Sequence, residues 1–244
     1  MFARFASDCS SLATGYCGMV LAAADWIAAL HKLGRSYFRR RYTILFCALA
    51  VTLVAAPITS ELGLSGIFIE SMLAANLLVA VLPVNAGRTR RVLLVVSFLL
   101  WIARPVTAWL GHPVTSAIML GTWVLIALFA AGVAVHFSFS GSKVDAEHLF
   151  AALSAYLLAG IYFGVLYWVF EQVQPGAFVT PSGFSRAGAC YFSFVTLATL
   201  GYGDIVPRAD IARGLAVIEG VGGQLFLAVL VARLVSMYSK TEST

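Results

Sequence analysis

Long stretches without charge divide this chain into its elements. No Asp, Glu, Lys or Arg lies between Arg41 and Glu61, Glu70 and Arg88, Arg104 and Lys143, Glu147 and Glu171, or Arg186 and Asp204. A membrane helix needs about 20 mainly apolar residues. The gaps therefore predict six membrane helices, at residues 42–60, 66–84, 91–110, 114–137, 148–170 and 211–236. The gap after Arg104 is too long for one helix, and Gly111-His112-Pro113 divides it.

The composition supports this all-α, polytopic membrane class. Hydrophobic residues make up 61% of the 244 residues and charged residues 11%, where a soluble domain has about 45–50% and about 25%. A soluble fold of this length could not bury so much apolar surface, and a disordered chain would be more polar. Lipid is therefore the expected solvent for most side chains.

The distribution of basic residues predicts the orientation. The chain carries 16 Lys and Arg against 11 Asp and Glu, a net charge of +5. With both termini in the cytoplasm, 12 of the 16 basic residues fall inside or at the inner interface, as cytoplasmic loops require. We expect a multi-pass protein of the cell membrane with cytoplasmic termini. The positive charge is explained by topology, so no nucleic acid partner is expected.

Residues 12–30 allow three interpretations. They are apolar, contain only Asp25 as a charge, and run into the basic stretch Lys32–Arg41. An amphipathic helix at the inner interface is favoured, and a seventh span is the second alternative. A signal peptide ending at Ala22-Ala23-Ala24 is the third, but its cleavage would leave the basic stretch outside.

The segment between the last two helices predicts an ion-binding loop. Residues 186–200 are apolar and end in Thr199-Leu200-Gly201-Tyr202-Gly203-Asp204. Helix six must start on the side where helix five ended, so the segment must dip into the membrane and return, which requires an aqueous lumen. Glycines at alternate positions let successive carbonyls point to one side. One chain supplies one column of oxygens, so a closed cage around a dehydrated cation needs a symmetric oligomer.

These residues resemble the signature of the potassium-channel family, usually Thr-Val-Gly-Tyr-Gly-Asp. The stretch Tyr191–Ala198 resembles the family's pore helix, and Ile205-Val206-Pro207 resembles the exit of its filter. The resemblance covers residues 148–236, which are two helices around one pore loop.

The resemblance implies a homotetramer in which four such loops replace the hydration shell of K+. The K+ sites would be formed by backbone carbonyls of Thr199, Leu200, Gly201 and Tyr202, with Gly203 and Asp204 at the outer mouth. Support of the filter is assigned to Tyr191, Phe192, Val195, Thr196 and Glu219, the first two as a cuff around Tyr202. Leu200 replaces the usual Val and Ala198 a common second Thr. We expect selectivity to persist and blocker sensitivity to change.

Helix six carries three glycines near its middle, Gly220, Gly222 and Gly223. They indicate either close helix packing or a gating hinge. Gly223 lies at the position that resembles the hinge glycine of simple two-helix potassium channels. Gln224 and Leu227 would then line the cavity. Glu219 is ionisable within a span, which indicates function by default. It either braces the pore helix from behind or forms a structural pair with Arg213 or with a pore-helix hydroxyl.

The first four helices resemble the sensor domain of voltage-gated channels without its charges. Helix four, 114–137, contains no Arg or Lys, and His136 is its only ionisable residue. Voltage then has little to act on, so weak or absent voltage dependence is expected. Glu70 and Arg104 lie at matching depths and are predicted to form an ion pair that Asn76 could join. A relic of a sensor charge network or a ligand site is the alternative.

The predicted function is a passive, K+-selective channel with no cofactor other than its permeant ion. Its alternatives are a non-selective monovalent cation channel and a non-conducting accessory subunit. An intramembrane enzyme is not expected, because no nucleophile elbow or metalloprotease motif occurs. The four cysteines indicate no disulfide framework. The predicted segments are an N-terminal interfacial part (1–41), a sensor-like domain (42–137), a cytoplasmic linker (138–147), the pore domain (148–236) and a tail (237–244).

Overall fold

The computed structural model describes residues 40–62, 66–84, 87–109, 113–140, 145–181 and 183–242. The three alternatives for residues 12–30 lie outside this part, as does the break at Gly111-His112. Tyr42–Thr244 form one compact unit.

Seven α-helices and one pair of short strands form in the described ranges. The helices are α1 Arg41–Glu61, α2 Gly66–Val81, α3 Gly87–Trp109, α4 Pro113–Ser138, α5 Ala146–Val173, α6 Arg186–Leu197 and α7 Asp210–Glu242. Strand β1, Phe178–Val179, pairs antiparallel with β2, Val206–Pro207, so that Phe178 lies opposite Pro207. The predicted helical class is confirmed, with this small strand pair added.

Four of the described helices are long and apolar enough to cross a membrane. Their apolar stretches are Arg41–Thr59, Ala117–Ser138, Ala146–Val173 and Asp210–Ser236. Helix α2 contributes a shorter apolar stretch, Phe68–Val81. Helix α3 begins with three arginines in its first turns and carries Arg104 further along, which lowers its apolar character.

Local chemistry explains where the helix ends differ from the predicted ones. Helix α5 begins at Ala146 because the Asp145 carboxylate accepts a hydrogen bond from the Ala146 backbone N–H at 2.7 Å. Helix α2 ends at Val81, shortly before Pro83, which disfavours helix in the residue preceding it. Helix α7 continues to Glu242, past the predicted end at Ser236, because neither Gly nor Pro occurs there to stop it.

The main core lies between α1, α2, α4 and α5. Its largest fully buried side chains include Tyr42, Leu45, Leu77, Trp123 and Leu158. Helix α4 adds a row of buried small residues to this core, namely Ala127, Ala130, Ala131 and Ala134. Small residues let helix backbones approach closely. The fourth helix therefore packs on the α5 helix of its own chain.

A second link joins α1 to α5. The Glu147 carboxylate, in the first turn of α5, accepts hydrogen bonds from the backbone N–H groups of Tyr42 (3.0 Å) and Thr43 (3.4 Å), and from the Thr43 hydroxyl. The exposed N–H groups and the dipole at a helix N-terminus favour such an anion. One carboxylate thus caps α1 from a position 104 residues away along the chain.

We expect Glu147→Ala to destabilise the protein, because the first N–H groups of α1 lose their acceptor. Loss of a helix cap costs about 0.5–2 kcal/mol. The thermal unfolding midpoint of the purified protein in detergent should fall. Asp210→Asn is the matched control, since the Asp210 side chain is 97% exposed in its pair with Arg213. Equal midpoints for the two variants would contradict a capping role for Glu147.

Candidate functional site

The short helix α6 positions the site. Ser185 caps its N-terminus by accepting a hydrogen bond from the Gly188 backbone N–H at 3.0 Å. At its C-terminus the Thr199 N–H donates to the Thr196 carbonyl and the Leu200 N–H to the Val195 carbonyl, both at 2.9 Å. The helix therefore ends in a hydrogen-bonded turn that leads directly into Thr199–Asp204, which we call the signature segment.

Two glycines of α5 let α6 lie against its backbone. A Cβ atom on Gly160 would stand 2.6 Å from the Phe194 ring, and one on Gly164 would stand 2.7 Å from Cys190 Cα. Contacts that short do not occur between real Cβ atoms. A larger residue at Gly164 would push the two helices apart, and one at Gly160 would displace the Phe194 ring.

The signature segment has an alternating backbone. Thr199 (φ +57°), Gly201 (φ +57°) and Gly203 (φ +78°) are left-handed, whereas Leu200 and Tyr202, which lie between them, are not. Glycine adopts positive φ without steric cost, but for a β-branched residue such as Thr199 the conformation is rare. This alternation is the backbone pattern that turns successive carbonyls toward the same side.

The ring of Tyr191 packs against the C-terminal half of the signature segment. It stacks on Tyr202 with ring centroids 6.4 Å apart and an interplanar angle of 16°. Desolvation and a hydrogen bond to Asp204 both raise the pKa of the Tyr191 hydroxyl. One side chain of α6 therefore contacts both Tyr202 and the acidic residue that follows it.

Phe192 packs against aromatic rings of α5 and β1. Its ring meets those of Tyr167 (5.0 Å) and Phe178 (5.4 Å) edge-on. Together they form a buried aromatic cluster between α5, β1 and α6. The predicted contact of Phe192 with Tyr202 stays a prediction, while Phe192 contributes to holding α6 on α5.

A polar network joins α5, α6 and α7 behind the signature segment. Glu219 is 2% exposed. One of its carboxyl oxygens accepts a hydrogen bond from the Tyr167 hydroxyl at 2.7 Å, and the other contacts the Ser193 hydroxyl. Ser193 also lies 2.7 Å from the Gly160 carbonyl oxygen. Of the two structural partners considered from the sequence, the α6 hydroxyl is the one found, since Arg213 pairs with Asp210 at 3.5 Å.

The three glycines of α7 differ in their surroundings. A Cβ on Gly223 would stand 2.6 Å from Leu197 Cδ1 and 3.0 Å from the Leu197 carbonyl oxygen, and one on Gly220 would stand 3.5 Å from the Thr196 carbonyl oxygen. A Cβ on Gly222 would meet no other part of the described chain within 4 Å, its own helix aside. Close packing on the end of α6 therefore needs Gly223 most, and the hinge role of the three glycines stays a prediction.

Polar groups also lie near Thr199, at the N-terminal end of the signature segment. The Gln224 amide donates to the Thr199 hydroxyl oxygen at 3.4 Å, and the Tyr156 hydroxyl donates to the Leu197 carbonyl at 3.3 Å. Leu227 lies one turn further along α7 and is half-buried. Tyr156 was not predicted from the sequence, because nothing in a run of apolar helix residues marks one tyrosine as facing α6.

The predicted pair of Glu70 and Arg104 forms, and Arg186 joins it. The Glu70 carboxylate contacts Arg104 and also Arg186, the latter at 2.9 Å. Arg186 is the first residue of α6, so this group ties α2 and α3 to the helix that carries the signature segment. Asn76 instead donates to the Thr52 hydroxyl at 2.6 Å. Arg186 was not predicted as the third member of this charged group. Its charge, which had no predicted partner, is the feature of the sequence that could have indicated it.

The second half of the chain matches a known family. Residues 151–240 match the family model described as "Ion channel". The matched residues, which we call the ion-channel segment, are thus similar to that family. They contain α6, the signature segment and the glycines of α7.

Two curated relatives share the same part of the chain. A protein named two pore potassium channel c, from Oryza sativa subsp. japonica, is 35% identical over 91 residues, which are 36% of this chain and 18% of that protein. A protein named inward rectifier potassium channel Kirbac3.1, from Paramagnetospirillum magnetotacticum, is 30% identical over 89 residues, which are 35% of this chain and 28% of that protein. The chain thus spans less than a third of either relative's length. No solved structure matches significantly. The predicted resemblance to potassium channels is confirmed for this segment.

We expect Gly223→Ala to destabilise the ion-channel segment, because the added methyl group would collide with Leu197 at the end of α6. Overpacking of this kind costs about 1–3 kcal/mol. Gly222→Ala is the matched control, with open space at its Cβ position. The measurement is the thermal unfolding midpoint of each purified variant. A drop for Gly222→Ala as large as that for Gly223→Ala would contradict the packing role.

Proposed function

We propose that this protein is a K+-selective channel of the cell membrane. Four copies would surround one axis, and conduction would be passive. In each copy the carbonyls of Thr199, Leu200, Gly201 and Tyr202 would replace water around the ion, with the Thr199 hydroxyl completing the innermost site. The relatives' names point to the same ion, although each match covers only part of those proteins.

The alternating backbone of the signature segment carries this proposal. Left-handed φ values at Thr199, Gly201 and Gly203 support a column of carbonyls that no helix or strand would provide. A carbonyl column suits a weakly hydrated monovalent cation, because its dipoles replace hydration without adding full charges. The Asp204 carboxylate would add negative charge at the mouth.

The exposed surface of the single chain supports an oligomer. Leu200 and Tyr202 are 55% and 66% exposed. Helix α7 also exposes many large apolar side chains, among them Val217, Ile218, Val221 and Leu225. Contiguous exposed apolar surface marks contact with another protein or with the membrane, and the exposed Leu200 and Tyr202 of the signature segment favour the former. In the proposed tetramer, neighbouring copies cover these groups and close the ring of carbonyls.

The lengths of α5, α6 and α7 support a re-entrant loop. Helix α6 has 12 residues, which at about 1.5 Å per residue cannot cross a bilayer of about 30 Å. It lies between two helices of 28 and 33 residues that can. We place six crossings, at α1–α5 and α7, with α6 dipping into the membrane and both termini in the cytoplasm.

We expect liposomes containing the purified protein to take up K+ and Rb+ and to exclude Na+. The Leu200 and Ala198 departures alter packing behind the carbonyls and leave the carbonyls in place. Isotope uptake driven by an ion gradient measures this. Comparable Na+ uptake would indicate a non-selective channel instead, and absence of any uptake would indicate a non-conducting subunit.

Gly201→Ala is the control for the role of the backbone. Alanine at φ +57° carries a conformational cost of about 1–2 kcal/mol in each copy. Apart from its chain neighbours, no described residue lies within 4 Å of the Cβ position, so assembly should persist while K+ uptake falls. Uptake at the wild-type rate in this variant would argue against conduction through the signature segment.

We also expect a weak or absent dependence of conductance on voltage. Moving one elementary charge across the field is worth about 2.3 kcal/mol per 100 mV, but α4 contains neither Arg nor Lys. Arg104 of α3 is held by Glu70. Planar-bilayer recordings in symmetrical K+ should give a shallow conductance–voltage relation. A steep relation would reveal gating charge in another part of the chain.

A further inference from the structure

Glu219 is the most deeply buried acid in the ion-channel segment, and it stands in a neutral environment. None of the ion pairs in the described ranges involves it. The titratable groups close enough to interact with it are Tyr156 and Tyr167 on α5 and Cys190 on α6. Tyrosine and cysteine carry no positive charge in any protonation state. Among the described residues, therefore, no cation compensates an ionised Glu219.

Counting hydrogens in the network assigns the protonation state. The single Ser193 hydroxyl hydrogen has two oxygen neighbours, the Gly160 carbonyl at 2.7 Å and a carboxyl oxygen of Glu219. The carbonyl can only accept, and the Tyr167 hydroxyl supplies the hydrogen for the other carboxyl oxygen. If Ser193 donates to Gly160, the hydrogen between the Ser193 hydroxyl oxygen and the Glu219 carboxyl oxygen must come from Glu219 itself.

The alternative arrangement leaves an oxygen pair without a hydrogen. An ionised Glu219 could accept from Ser193 only if Ser193 released the Gly160 carbonyl, and the 2.7 Å contact would then be a repulsive one between two lone pairs. Burial of an ionised carboxylate without a cation is also strongly unfavourable. A neutral carboxylic acid satisfies all three contacts at once.

We propose that Glu219 is a neutral carboxylic acid that positions α6, and with it the signature segment, in the conducting arrangement. The Glu219 carboxylic acid would donate to the Ser193 hydroxyl oxygen, and the Ser193 hydroxyl would donate to the Gly160 carbonyl on α5. The Tyr167 hydroxyl would donate to the other carboxyl oxygen of Glu219. Three helices are thereby joined by one directed chain of hydrogen bonds. Ser193 lies on α6, one turn before the helix ends at Leu197, and Thr199 follows that end after Ala198. This inference rests on the proposed channel function.

The direction of the pH dependence follows from this arrangement. At acidic pH the acid keeps its hydrogen and the chain of hydrogen bonds is intact. As the pH rises and Glu219 ionises, its donor is replaced by a negative charge facing the Ser193 oxygen, and the hydrogen bond from α7 to α6 is lost. K+ flux should therefore fall on the alkaline side.

Two variants of Glu219 separate its chemistry from its shape. Glutamine keeps a donor for Ser193 and an acceptor for Tyr167 but cannot ionise, whereas alanine removes both. We expect Glu219→Ala to lose most of the K+ flux and Glu219→Gln to restore it, without the severalfold alkaline decline of the wild type. Asp210→Asn, at an exposed acid of the same helix, should keep the wild-type pH profile.

Infrared spectroscopy tests the protonation state without relying on conduction. The wild type should show the carbonyl-stretch band of a protonated carboxylic acid that disappears at alkaline pH and is absent from Glu219→Gln. A missing band in the folded wild type would overturn the proposal, as would an unchanged alkaline decline in Glu219→Gln. Failure of the wild type to pass K+ would overturn the channel function and the positioning role together, while the band would still decide the state of Glu219.

Discussion

The attachment of α6 to α5 and α7 is the constraint on which the rest of the ion-channel segment depends. A helix of 12 residues is too short to be held by a membrane on its own, so its position must come from its neighbours. Gly160 and Gly164 let it touch the α5 backbone, and Gly223 lets α7 touch its last turn. The signature segment follows directly from that last turn, so a displacement of α6 would displace every carbonyl group of the segment.

The first four helices reach this segment through contacts at several levels. The alanines of α4 pack on the middle of α5, and Glu147 fixes the start of α5 to the start of α1. Glu70 binds Arg186 at the start of α6. Because α4 carries no Arg or Lys, these contacts give the four helices a physical role as a support for α5 and α6 that needs no moving charge.

The sequence predicted the helices and the signature segment well, because both depend on local pattern. Charge gaps set the helix positions, and the glycines of the signature segment lie where the backbone takes positive φ. Contacts between helices were harder, since apolar residues surround each membrane helix and give no periodicity that marks a face. The Glu70–Arg104 pair could be predicted because an unpaired charge in apolar surroundings is unfavourable. The contacts of Tyr156 and Tyr167 could not, because both lie in a run of similar residues.

Thr199 shows how the function and the folding of the segment are linked. It is the only described residue other than glycine with positive φ, and such strain in a β-branched residue persists only where the surroundings enforce it. Within one chain the enforcement comes from the turn at Thr196 and from the Gln224 amide at 3.4 Å. The outer residues of the segment remain exposed. Convergent carbonyls from several copies would repel one another, so a cation between them would stabilise the backbone that binds it.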